Sequence, residues 1–306
     1  MNILVWHVHG SWTTSFVHGH HRYLLPVGPW GGGRMGRDWP PDAVEIHADE
    51  LRNTDVDVVV VQQPDQIELA ESLLGRRVPM VYVEHNTPKG NVPETRHPIA
   101  DRDDIPLVHV THFNDLMWDS GDAPTTVIEH GVVDPGERYT GELGRAAVVI
   151  NEPVRRGRVT GTDLLGRFAS VAPLDIFGMG LAGLDIPSVH PRGDLRPGKL
   201  HSELAERRVY VHTTRWTSLG LSLIEAMHLG MPVVAVAATE ALRAVPPEAG
   251  VLSTNVDELV DGLRWLVDEP EAARRMGKQA RQYALAHYGL PQFLERWDEL
   301  LMEVSS

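Results

Sequence analysis

No cysteine occurs among the 306 residues, so disulfides, thiolate nucleophiles and cysteine-based zinc sites are excluded. Positive charge is also scarce: 28 basic against 42 acidic residues leave a net charge of −14. Nucleic-acid backbones and anionic membrane surfaces are bound by clustered Lys and Arg, so both partner classes are disfavoured. No apolar run approaches the roughly 20 residues that cross a bilayer, so no transmembrane segment is expected. The start, MNILVWHVHG, has no charged n-region and does not read as a signal peptide. There is no HExxH. His7, His9, His18, His20 and His21 cluster without carboxylate support and read as polar strand-end residues rather than metal ligands. A cytoplasmic enzyme fits this balance.

What is present is a rhythm. Short apolar, β-branched runs at 2–8, 56–62, 78–85, 106–112 and 125–130 alternate with helical stretches such as 66–75. That is the signature of a parallel sheet covered by helices. A Gly- and charge-rich stretch at 134–145 reads as a linker. The alternation restarts at 146–151, 173–179, 208–213, 232–238 and 250–254, with helices at 198–206, 219–229 and 256–268. The last 35 residues are predicted helical, broken at 288–291. Segment 26–42, rich in Pro and Gly, is expected to be a mobile loop.

The fold class expected is α/β: two Rossmann-like domains facing a central cleft. Their expected bounds are 1–136 and 145–285, with a terminal helix at 286–306 that packs back on the first domain. Ligands of such sheets bind at the carboxyl ends of the strands.

Two stretches spell GxGxxG. Gly31–Gly36 neither follows a strand directly nor opens a helix, and runs into Trp39-Pro40-Pro41. Gly178–Gly183 follows a strand but meets Asp185-Ile186-Pro187 where a helix should start. The dinucleotide fingerprint needs both contexts. Gly178 reads better as a strand-end turn that lets a ligand approach the backbone.

The most informative segment runs from His212 to Val236. A strand ends at Thr213, a polar loop with Gly220 follows, and a helix then opens with free N–H groups, a ready anion site. Glu225 lies one turn in, where a carboxylate can accept hydrogen bonds from ribose hydroxyls. Gly230 caps the helix and Pro232 starts the next strand.

This segment resembles the donor-site signature of the retaining GT-B glycosyltransferases (family 4-like, group 1), which include sucrose synthases, bacterial mannosyltransferases and the mycothiol glycosyltransferase. Gly220, Leu221, Glu225, Ala226, Met227, Gly230, Pro232, Val233 and Val234 match its pattern. The resemblance is specific over 208–240 and looser elsewhere. The family's first acidic residue, eight before the second, falls on Thr217, and Ser218 and Leu219 replace Gly and Phe.

The resemblance implies further assignments. The diphosphate-clamping cations follow the first strand of the second half, where Arg155, Arg156 and Arg158 crowd one loop. If Gly161 aligns, Arg155 and Thr160 take the clamp positions; if Gly157 does, Asn151 and Arg156 do. The helix start at 218–222, with Thr217, Ser218, Leu219, Gly220 and Leu221, would serve the donor as well, and Glu225 would hold the ribose. His85, at a strand end, would contact the donor sugar. Gly10 and Thr13 occupy the family's glycine-rich turn after the first strand. His190 lies where the family reads the base, in the loop after the third strand of the second half.

The implied reaction moves a sugar from a nucleoside diphosphate donor to a hydroxyl acceptor with retention. No cofactor is expected. No Asp-x-Asp stands as a metal-bridging element, so no divalent metal is expected either. The competing readings are a catalytically weak nucleotide-sugar binding protein, motivated by Thr217, and an NAD-dependent oxidoreductase. Association of the chain with itself is left open.

Overall fold

In the computed structural model, which describes all 306 residues, the chain divides into two compact units. Unit 1 comprises Met1–Val133 with Leu290–Ser306, and unit 2 comprises Asp134–Gly289.

Unit 1 holds strands β1 (Asn2–Val5), β2 (Arg22–Gly28), β3 (Gly31–Gly32), β4 (Ala43–His47), β5 (Val58–Val61), β6 (Met80–Glu84), β7 (Leu107–His109) and β8 (Thr125–Val127). Its helices are α1 (Gly10–Phe16), α2 (Asp65–Leu74) and α3 (His112–Met117), completed below by the last helix of the chain. The sheet runs β3-β2-β1-β5-β6-β7-β8, with β4 pairing β2. All pairs are parallel except the β2–β3 hairpin. All four residues of β5 are buried, as expected of a strand covered on both faces.

Unit 2 holds β9 (Leu143–Val149), β10 (Leu174–Phe177), β11 (Val189–Gly193), β12 (Arg207–His212), β13 (Val233–Val236) and β14 (Gly250–Ser253). Between and after them lie α4 (Pro153–Arg156), α5 (Leu165–Ala169), α6 (Pro197–Glu206), α7 (Leu221–Leu229), α8 (Ala241–Ala244), α9 (Val256–Asp268) and α10 (Pro270–His287). The sheet is wholly parallel, in the order β11-β10-β9-β12-β13-β14. This doubly wound order reverses between β9 and β12, the position at which such sheets bind ligands outside the carboxyl ends of their strands.

Apolar periodicity fixes the helices. In α9, Leu259, Leu263 and Leu266 are buried, and Asn255 caps the first turn by accepting from Asp257 N–H at 3.1 Å. Gly230 ends α7 in the left-handed conformation (φ 90°). A Cβ on Gly277 would lie 2.0 Å from Gly230 O, so glycine there lets α10 pack on the end of α7. The last helix, α11 (Leu290–Val304), belongs to unit 1. It buries Phe293, Trp297 and Leu301, and Trp297 meets Trp12 and Phe16 of α1 with ring centroids 5.7 and 5.0 Å apart.

Several local expectations are corrected. Segment 26–42 is not a free loop. Residues 26–28 finish β2, 31–32 form β3, and Arg34 donates to the carbonyls of Arg37, Trp39 and Ala43. The stretch after β1, read as a glycine turn, is helix α1, whose Trp12 and Phe16 are buried. Residues 134–144 are tied into unit 2 rather than hanging as a linker: Arg138 and Tyr139 N–H donate to Leu229 O, and Thr140 and Gly141 N–H donate to Ala205 O.

Candidate active site

At the carboxyl ends of β9 and β12 in unit 2, two loops bond to each other. The first leaves β9 and carries Asn151 to Gly161. The second leaves β12 and carries Thr213 to Gly220. Arg215 N–H donates to Val159 O at 2.9 Å, and Thr213 Oγ1 donates to Thr160 O at 2.7 Å. Arg215 Nη1 reaches Arg158 O at 2.9 Å and Asp163 Oδ1 at 2.6 Å. Gly161 has φ 71°, and a Cβ there would fall 2.0 Å from Thr213 O. Only glycine lets the loops close this tightly.

The three arginines of the first loop differ. Arg155 is largely exposed and pairs with Glu152 at 3.5 Å. Arg158 is exposed and pairs with Asp163 at 2.9 Å. Arg156 is half-buried and has no carboxylate partner. Burial first, and then the neighbouring charge of Arg155, hold its pKa below the usual arginine value. An unneutralised, partly desolvated guanidinium is a strong seat for a phosphate oxygen. Thr160, a clamp position in one alignment, is buried and donates its hydroxyl to Gly157 O at 3.0 Å. Asn151 accepts from Met179 N–H at 3.0 Å.

The second loop leads into α7. Tyr210 OH and Ser222 Oγ, 2.9 Å apart, seat the first turn of α7 on β12. Beneath it lies His212, fully desolvated, its pKa pushed down to about 4 by burial. A Cβ on Gly220 would come 2.9 Å from the His212 ring, so glycine is needed at the cap. Thr217, Gly220 and Leu221 are half-buried, whereas Ser218 and Leu219 are buried. Leu219 therefore has only its backbone to offer. Glu225 faces α6 and lies 3.4 Å from His201 Nε2, both side chains being mostly covered.

His190 departs from expectation. It lies inside β11, paired with Asp175 of β10, not in the loop after the strand. That loop begins at Asp194. The glycine turn after β10 is also explained without a ligand. A Cβ on Gly178 would lie 2.3 Å from Ile150 O, and one on Gly180 would touch Glu152, so these glycines let the exits of β9 and β10 pack together.

The sequence-predicted set is divided between the units: Arg155, Arg156, Arg158, Thr217–Leu221 and Glu225 lie in unit 2, and Gly10, Thr13 and His85 lie in unit 1. Thr13 is fully buried within α1 and donates its hydroxyl to His9 O at 2.9 Å, so it has no hydroxyl to give a diphosphate. Gly10 opens α1, and a side chain there would strike the Arg37 guanidinium at 2.2 Å.

His85 directly follows β6 and is buried. Its ring lies 4.0 Å from that of His9 and 5.1 Å from Trp12. Burial, then His9, then His130 push its pKa well below the ordinary histidine value. His130 is driven to about 3, mainly by burial. These imidazoles are neutral at pH 7. The adjacent Glu84 accepts from Asn86 N–H at 2.6 Å and from His97 Nε2 at 3.0 Å. Because His97 Nδ1 accepts from Ile99 N–H, its proton sits on Nε2.

Sequence reasoning missed Arg215, Asp163 and His201. Their contacts join residues 52 and 24 positions apart, and no local spacing marks them. No group of three or more His, Asp or Glu is arranged to hold a metal ion.

Residues 188–283 match the family model described as Glycosyl transferases group 1. Among curated proteins, the alpha-1,3/1,6-mannosyltransferase ALG2 of Rhizomucor pusillus is 25% identical over 105 residues, covering 34% of this chain and 23% of that protein. A glycosyltransferase of Haemophilus influenzae, described as uncharacterized, is 30% identical over 97 residues, covering 30% and 27%. The chain spans about a quarter of the length of these curated relatives. Among solved structures, Anabaena HepE crystallised with UDP-glucose superposes with a TM-score of 0.75 at 15% identity, covering 99% of this chain and 100% of that one. Sucrose-phosphate synthase from Thermosynechococcus elongatus gives 0.74 at 13% identity, covering 99% of each. The chain thus has the GT-B glycosyltransferase fold, and its residues 188–283 are similar to the Glycosyl transferases group 1 family.

Proposed function

We propose that this protein transfers a sugar from a nucleoside diphosphate sugar to a hydroxyl acceptor, with retention of anomeric configuration. The observation that carries this reading is Arg156. In a chain of net charge −14 it is a half-buried arginine with no acid to neutralise it. It sits on the loop that is bonded to the loop leading into α7, at the strand-order reversal of a doubly wound sheet.

In the reaction the bond between the sugar C1 and the β-phosphate oxygen breaks, and a bond between C1 and the acceptor oxygen forms. The acceptor proton passes to a phosphate oxygen. The developing charge lies on the diphosphate, and fixed positive groups stabilise it without rearranging. Arg156, with Arg155 and Arg158 around it and the opening N–H groups of α7, is assigned to that charge. No protein nucleophile is required when the acceptor attacks the face from which the diphosphate departs. Glu225 is assigned to the ribose hydroxyls, with His201 holding its carboxylate in place. The base is assigned to backbone in the loop that begins at Asp194, rather than to His190. In unit 1, His85 is assigned to a sugar hydroxyl. As a neutral ring it can donate or accept one hydrogen bond without adding charge.

Parallel calorimetry with UDP, GDP, ADP and dTDP, followed by nucleotide release from the corresponding sugar donors, tests the reading. Binding of one diphosphate and its release from a donor are expected. If none of the four binds and no donor is turned over, the proposal is wrong. Thr217 motivates a second reading, since a neutral hydroxyl stands where a carboxylate would grip the donor sugar. Tight binding without turnover across the donor panel would favour a nucleotide-sugar binding protein.

A further inference from the structure

Unit 1 contains a groove of about 510 Å³ that none of the assignments above uses. Its rim carries Trp30, and its walls carry His47, Asp49, Arg52, Asn53 and Ser72.

The indole is presented, not buried. Trp30 occupies the tip of the β2–β3 hairpin, in the two-residue turn between Gly28 and Gly31, which pair with each other. A Cβ on Gly31 would lie 2.3 Å from Pro26 O, so the hairpin is pinched tight behind the tryptophan. Trp6 Nε1 donates to Trp30 O at 2.9 Å, and His7 Nδ1 lies 3.0 Å from Gly33 O. The backbone is thus held from two sides, while 51% of the Trp30 surface remains open to solvent. Half of the indole is thus held open to a ligand that stacks on it.

The polar walls match this. His47, Asp49, Arg52, Asn53 and Ser72 make no ion pair or hydrogen bond through their side chains. Elsewhere on the surface, arginines such as Arg96, Arg102, Arg264 and Arg274 are paired with acids. Asp49 and Arg52, three positions apart, are not paired with each other. A carboxylate, an amide, a guanidinium, an imidazole and a hydroxyl around one aromatic face offer both donors and acceptors without one dominant charge. That combination suits a pyranoside. Its C–H face stacks on the indole, and its hydroxyls each take one planar partner. The volume is that of an ordinary small-ligand site, which spans roughly 300–1,000 Å³.

The hairpin is tied to the exit of β1: Trp6 and His7 hold it, and His9, two residues on from His7, lies against His85.

We propose that this groove binds a saccharide, and that the acceptor of the transfer reaction is an oligosaccharide whose non-reacting sugars lie on Trp30. The second clause rests on the transfer reading above; the first does not. The test uses the full chain, fluorescently labelled, on an array of immobilised oligosaccharides, with nucleoside diphosphate calorimetry on the same samples. The wild type is expected to retain a defined subset of glycans. Trp30→Ala should weaken that binding by about tenfold or more, Trp30→Phe should restore part of it, and Asp49→Ala should weaken it too. Nucleoside diphosphate affinity should stay within about twofold in every variant. Absence of any retained glycan, or equal retention by Trp30→Ala, overturns the proposal. Loss of nucleotide binding in Trp30→Ala would move the indole to the donor and overturn it as well. Glycan retention by a wild type that binds no nucleotide would leave the groove standing and remove the transfer reading.

Discussion

Replacing Arg156 by Gln separates binding from stability. The side chain is half-buried, lacks an acid partner and stands beside Arg155, so its charge is held at some cost in the free protein. Gln removes the charge and keeps most of the aliphatic stem. No ion pair is lost, so unfolding free energy should change by no more than about 0.5 kcal/mol, the range for surface substitutions that break no specific feature. The effect on ligand is different. A hydrogen bond to a charged group contributes about 1.5–3 kcal/mol, which is roughly 10- to 150-fold in affinity. The nucleoside diphosphate should therefore bind 10- to 150-fold more weakly, by this order-of-magnitude reasoning, with the folded state intact. Arg264→Gln, outside the assigned site, is the control. It breaks an exposed pair with Asp261, a loss of about 0–1 kcal/mol in stability, and should leave diphosphate affinity unchanged. The assay is calorimetry with the best-binding diphosphate, alongside urea unfolding of each variant. Should Arg156→Gln bind like the wild type while losing stability, Arg156 is a structural residue and the anion seat is misplaced.

The remaining predictions concern the same unit. Glu225→Ala should weaken the nucleoside diphosphate by about 1.5–3 kcal/mol, the worth of a charged hydrogen bond, and unchanged calorimetry would remove the ribose from Glu225. Gly161→Ala should destabilise by at least about 2 kcal/mol, because it combines left-handed strain with overlap against Thr213 O, and a urea midpoint equal to wild type would contradict this. Stability should also fall in mild acid. His212 titrates near 4 in the folded state, below its ordinary value of 6.5, so the unfolded chain takes the proton first. The stability contributed by its neutral form is complete above about pH 6.5 and is lost by about 1.4 kcal/mol per pH unit as pH falls toward 4. His212→Phe should flatten that slope in urea titrations run at pH 7.5, 5.5 and 4.5; an unaltered slope would mean His212 is not desolvated.

The strands that were legible in the sequence are those buried on both faces. Val58–Val61 and Val233–Val236 read as continuous apolar runs because a covered parallel sheet has no polar face to interrupt them. The strands that escaped carry a different signal. β2 contains Pro26 and β11 contains Pro191, and proline argues against a strand except at edges and ends. β11 is such an edge, which is why His190 was placed in a loop. α1 escaped because GSWTTSF is a poor helix former with no side-chain cap; Trp12 and Phe16, packed on Trp297 from the far end of the chain, hold it. The candidate site divides in the same way. The 217–225 stretch was legible because its elements are consecutive. The bonds from Arg215 to Asp163 and from His201 to Glu225 were not, because only the folded sheet brings those loops together.

The charges around the two loops explain why one arginine matters more than three. Glu152 answers Arg155, and Asp163 answers both Arg158 and Arg215. Glu152 lies in the first loop and Asp163 just beyond it, so the pairs tie the two loops down and leave little charge to attract a ligand. Arg156 alone is left over, and it is the most covered arginine of the loop's three. A carboxylate at 217 would have stood on the partner loop, two residues from Arg215. With threonine there, the partner loop supplies no acid to compete for Arg156. The same substitution that weakens the expected grip on the donor sugar therefore leaves the local field more favourable for its diphosphate. Affinity and turnover should then part company in this protein, with the nucleotide end of the donor carrying more of the recognition than the sugar end.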